Sequence, residues 1–85
     1  MAPKPSGDKR INPIKLRQME DRCHAIEEEV ARVEAEIADC ERELANFRSA
    51  EETMRVSDLL TARREELENL LAEWEEVSHA IEASR

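Results

Sequence analysis

Apolar side chains recur along this chain with the period of a helix that has a partner. Leu16, Met19, Cys23, Ile26, Val30, Val33, Ile37, Cys40, Leu44 and Phe47 follow one another at alternating intervals of three and four residues. A repeat averaging about 3.5 falls just short of a helical turn, so the stripe stays on one side only if the helix supercoils around another. The spacing predicts a coiled coil, not merely an amphipathic helix. A second stripe, Val56, Leu60, Arg63, Leu67, Leu70, Trp74, Val77 and Ile81, repeats the alternation, with Met54, Leu59 and Leu71 broadening one flank. Arg63 alone interrupts it.

Capping signals bound both stripes. Asn12-Pro13 is a cap followed by proline at the first helical position, where its missing N–H costs nothing, and Ile11 and Leu16 stand where a hydrophobic staple would close. Ser49, with Glu52 three residues later, has the form of a capping box at a second start. The expected elements are a helix over 13–47, a turn at 48–49 and a helix over 50–84. Ahead of them, residues 1–11 hold Pro3, Pro5, Ser6 and Gly7 among charges and read as a flexible linker. Each helical arm spans roughly 50 Å at the standard rise. Arms of equal length joined by so short a connection must return antiparallel, with residues whose numbers sum to about 97 facing each other. Cys23 then meets Trp74, Val30 meets Leu67, Val33 meets Arg63 and Ile37 meets Leu60. The expected fold of residues 12–85 is all-α, a two-helix antiparallel coiled-coil hairpin. Its rival is one continuous helix pairing with other chains, since no proline or glycine interrupts residues 47–53.

Composition narrows the alternatives. In 85 residues, 40% hydrophobic and 40% charged content with a single glycine leaves no material for a β-sandwich or barrel and only a thin core. Two helices sharing one seam are marginally stable, so a monomer or weak self-association is expected. No run of about 18 apolar residues provides a membrane span, and no leader suggests export. Cys23 and Cys40 stand roughly 25 Å apart along one helix, beyond disulfide reach, and free thiols fit a reducing cytoplasm.

Candidate chemistry is sparse. Catalysis needs a pocket where groups converge and water is excluded, which a two-helix hairpin does not build. The carboxylates of Glu27-Glu28-Glu29, Glu65-Glu66 and Glu75-Glu76 read as solvated faces, with Glu28–Arg32 and Glu51–Arg55 as helical ion pairs. Cys23, His24, Cys40 and His79 are ligand types without converging spacing, so neither a metal site nor a cofactor is expected. Trp74 reads as a core anchor and Phe47 as a cover for the seam end. Arg63 reads as a register-setting charge whose partner is Glu34 or Glu29, and its replacement by leucine is expected to raise the melting temperature while loosening register.

Charge does add one candidate surface. The net charge of −8 repels a phosphate backbone on average. Residues 1–22, however, carry six basic against three acidic side chains, a local +3. Lys9, Arg10, Lys15, Arg17 and Arg22 would gather at the open end of the hairpin as phosphate-contacting candidates.

The seam, the Arg10-Ile11-Asn12-Pro13-Ile14-Lys15 opening and the Leu71-Ala72-Glu73-Trp74-Glu75-Glu76-Val77 closing segment together resemble the C-terminal domain of ABC-F type ATP-binding proteins, in particular the Uup-like branch. The resemblance covers residues 9–83. It implies a coiled-coil hairpin joined by a charged linker to tandem ATPase domains of a parent chain, with Met1 and Ala2 as an added start. It also implies a ribosome-associated cytoplasmic parent and nucleic-acid contact, DNA or ribosomal RNA, by this domain. This chain departs from that pattern in its acidic shaft, and no Walker A loop makes it an enzyme by itself. The alternative reading is a protein-binding or spacer hairpin whose shaft docks a basic protein.

Overall fold

A computed structural model describes residues 12–46 and 48–84; the proposed linker, Lys9, Arg10, the Ile11 staple, Phe47 and Arg85 lie outside the described residues. Two helices, α1 (Pro13–Ala45) and α2 (Ala50–Ala83), pack side by side as an all-α hairpin. Among the described residues, neither helix is long and apolar enough to cross a membrane.

Both helices start where the sequence supplies a side-chain acceptor. Asn12 is extended, its carboxamide oxygen accepts the Lys15 N–H at 2.8 Å, and its carbonyl accepts from the Leu16 N–H at 3.1 Å. Ser49 is likewise extended and its hydroxyl accepts the Glu52 N–H at 3.1 Å. The capping box is only half used. The Glu52 carboxylate takes both hydrogen bonds, at 2.9 Å, from the Arg55 guanidinium one turn on. A charged donor forms a stronger bond than the backbone amide the box would offer, and this explains the choice. Glu51 and Glu52 also stand at the positive end of the α2 dipole.

α1 ends at Ala45 rather than at 47, because Asn46 leaves the helical region at φ −112° and ψ 86°. Its N–H still reaches the Glu43 carbonyl at 3.0 Å, a tightened last turn that satisfies one of the free carbonyls.

The seam is where the two apolar stripes meet. Ile26, Val33 and Leu70 form one buried cluster, flanked by Val30, Ile37, Leu67 and Trp74; Cys40, Val56 and Leu60 form a second, flanked by Ile37 and Leu44. Ile37 touches both, so the core is continuous. Cys23 and Ile81 are buried toward the open end, and Leu16, Met19 and Val77 are half-buried there. Trp74 faces Glu27, while Cys23 lies with its Sγ 3.6 Å from Ser78 Oγ, one turn beyond Trp74. Met54, Leu59 and Leu71 do not widen one flank of the seam: they are 67%, 39% and 45% exposed. Residues seven apart share a row on a coiled-coil helix. Leu59 therefore aligns with Glu66 and Glu73, and Leu71 with Arg64 and Ser78, on opposite sides.

Candidate nucleic-acid interface

At the open end, Lys15 and Arg17 occupy the first turns of α1, where the Asn12 cap sets the start of the helix and no acidic residue precedes them in the first turn. Lys15 is exposed and has no ion pair among the described residues. Arg17 is exposed and only loosely paired, its Nε 3.7 Å from an Asp21 carboxylate oxygen.

Arg22 behaves differently. Its Nε and Nη2 donate to the two carboxylate oxygens of Glu73 on α2, each at 2.8 Å. This fork geometry holds the Glu73 carboxyl below the usual carboxylate range and raises the guanidinium above its own, the hydrogen bond being the main cause in both directions. Arg22 thus ties α1 to α2, and a phosphate would have to displace Glu73 to reach it. Reading α1 alone could not reveal this. The signal was present in the second stripe, because Arg22 and Glu73 each stand one residue before a seam position, Cys23 and Trp74, in the flanking rows that meet across an antiparallel pair.

The folded end is also less basic than residues 1–22 by themselves. α2 brings the exposed Glu75, Glu76 and Glu82 to the same end, with His79 among them. Lys9 and Arg10 are not among the described residues.

Along the shaft the two flanks differ in chemistry. On the flank that carries Arg22, Arg63 departs from both partners expected for it: its Nε lies 3.0 Å from Glu36 and its Nη1 donates to Glu66 at 2.8 Å. Arg32 closes the circuit, donating to Glu36 at 3.2 Å and reaching Glu66 at 3.5 Å, instead of pairing with Glu28. Two arginines and two glutamates form a neutral ring across the interface. Glu34 stands two residues from Glu36, which turns it to the opposite flank of α1; this is the physical reason it is not the partner.

The other flank is acidic. Glu20, Glu27, Glu34 and Glu41 repeat every seven residues along α1, and Glu68, Glu75 and Glu82 do so along α2, with the half-exposed Leu71 between the rows. Arg64 neutralises Glu41 at 3.0 Å. Glu27 accepts the Trp74 indole N–H at 3.0 Å and lies 3.5 Å from His24.

Recesses on the hairpin are shallow. A crevice of about 20 Å³ between Leu44, Thr53 and Val56 at the closed end has room for roughly one water molecule, and the larger recesses are open grooves on the helix flanks. Cys23 and Cys40 are free thiols, buried on the seam. Among the described residues, no three histidine, cysteine or carboxylate side chains converge as a metal site would require. Comparison of the chain with protein-family models, with curated proteins and with solved structures gives no match.

Proposed function

We propose that this hairpin is a non-catalytic interaction arm of an ABC-F type ATPase, touching a nucleic-acid backbone with the Lys15 and Arg17 corner of its open end. The observation that carries the reading is the charge of Lys15, which no carboxylate among the described residues engages, beside the loosely held Arg17, on a rod whose arginines at positions 22, 32, 55, 63 and 64 are held by carboxylates. The non-catalytic part is supported by the form of the recesses that carboxylates line, a crevice of about 20 Å³ at the closed end and open grooves along the flanks, none shaped to surround a substrate. Attachment to an ATPase rests on the resemblance of the opening and closing segments. Arg22 belongs to the fold in this reading, not to the contact.

Binding to labelled duplex DNA, single-stranded DNA and RNA in about 50 and 200 mM salt tests it. Counterion release predicts a loss of about tenfold over that range for two phosphate contacts, and about 100-fold if Lys9 and Arg10 add two more. The K15E/R17E double variant, its helicity checked by circular dichroism, should lose binding. Undiminished binding in that variant would remove the assignment.

A second reading is favoured by the acidic flank. The two glutamate rows around Leu71 suit a basic protein surface, with nucleic acid playing no part. Affinity for a basic peptide that survives K15E/R17E and falls in E34Q/E68Q supports this alternative.

A further inference from the structure

Lys15 and Arg22 are one heptad apart, so they share a row of α1 and stand about 10 Å from each other along the helix axis. Lys15 is exposed and engaged by no carboxylate among the described residues, whereas Arg22 is spanned by Glu73 from α2. The two hydrogen bonds of 2.8 Å, from Nε and Nη2, use the guanidinium fork that fits carboxylate and phosphate oxygens alike. The side chains of Arg22 and Glu73 are 44% and 41% exposed, so a competing anion has access to that fork. Resting on the reading of the open end as a nucleic-acid contact, we propose that Glu73 is an intramolecular stand-in for phosphate: it fills a latent subsite at Arg22 on the Lys15 row, and a bound backbone competes with it.

The competition follows from what holds each anion. An exposed ion pair is weak and screened by salt, so Glu73 is a displaceable partner. A backbone already anchored on Lys15 presents its neighbouring phosphates at high local concentration. Glu29 stands one heptad further along the row and attracts Arg22 by its charge, without a hydrogen bond to it. Arg22 therefore ties the helices until an anion is anchored beside it, and neutralising Glu73 turns the latent subsite into a standing one.

Glu73→Gln keeps the side chain's length and removes its charge. Labelled duplex DNA, titrated in about 50 and about 200 mM salt, should bind E73Q several-fold more tightly at the lower salt than it binds the unsubstituted chain. The loss of affinity over that range should grow by a further factor of about three, as one added phosphate contact requires. R22Q/E73Q should lose both gains. Glu76→Gln removes the same unit of charge from an exposed side chain one turn on and should leave the salt dependence unchanged. An equal steepening in E76Q, or a gain that persists in R22Q/E73Q, would mean that net charge alone acts and would overturn the stand-in. So would E73Q binding no better than the unsubstituted chain while K15E/R17E still abolishes contact, a result that spares the reading of the open end. Absence of binding by all of these chains would overturn both. Circular dichroism shows whether each variant keeps its helices.

Discussion

Replacing Arg63 by leucine sets two physical effects against each other, and the structure decides between them. A leucine would complete the second apolar stripe. Arg63 is about one-third exposed (33%) and its stem already covers part of the seam, so the gain is about 1 kcal/mol, below the value for a fully buried leucine. Against this stand two ion pairs, to Glu36 at 3.0 Å and Glu66 at 2.8 Å. Exposed pairs contribute about 0.2–1 kcal/mol each, and partial burial places these near the top of that range. Glu36 Oε1 adds the deciding cost. It is enclosed, has no hydrogen bond of its own, and has only the Arg63 Nε beside it as countercharge. Leaving such an acceptor without its cation costs about 1 kcal/mol, the low end for a buried unsatisfied group, because Arg32 still holds the other oxygen. Arg63→Leu should therefore lower stability by about 1–2 kcal/mol in low salt, the reverse of what the interrupted stripe alone suggests. Urea unfolding followed by helical circular dichroism measures it. A double-mutant cycle with Glu66→Gln isolates the pair, and the coupling should shrink in high salt. If Arg63→Leu is as stable as the unsubstituted chain or more so, the ring is not net stabilising and the argument from the enclosed oxygen is wrong.

Two further outcomes follow from the seam and its ties. Ile26 is fully buried between the helices, so Ile26→Ala should cost about 2–3 kcal/mol, the lower half of the usual range because a two-helix interface partly collapses, and should lower the melting temperature by about 10–20 °C; a shift of only a few degrees would mean the seam does not carry the fold. Acid should loosen the hairpin through Glu73. Its folded-state carboxyl lies below the ordinary value of 4.5, so its tie to Arg22 stabilises the fold above that value and is lost as pH falls from there through the depressed one. The urea midpoint should drop over this interval, and Glu73→Gln should flatten the drop; equal acid sensitivity in both would show that the tie contributes nothing.

How much of this was legible beforehand depended on the kind of group. The seam, both caps and the antiparallel return could be read from residue spacing. Burial of one stripe against another is non-directional, and a 3.5-residue repeat specifies it for every position at once. Helix ends were legible to within two residues, since Asn46 could either extend α1 or stop it. The candidate interface was less so: Lys15 and Arg17 are exposed at the open end, but nothing on α1 alone indicated that Arg22 would be taken by Glu73.

Spacing along the chain thus decided which side chains meet the other helix, because hydrophobic burial asks only for a contiguous apolar surface. Tertiary structure decided which charges remain available. Arginine and glutamate side chains reach several ångströms, so their partner is chosen by the relative placement of two helices and by competition among neighbouring carboxylates. Arg63 chose Glu36 and Glu66 over Glu34 and Glu29 on those terms, and Arg22, still exposed, was tied to Glu73.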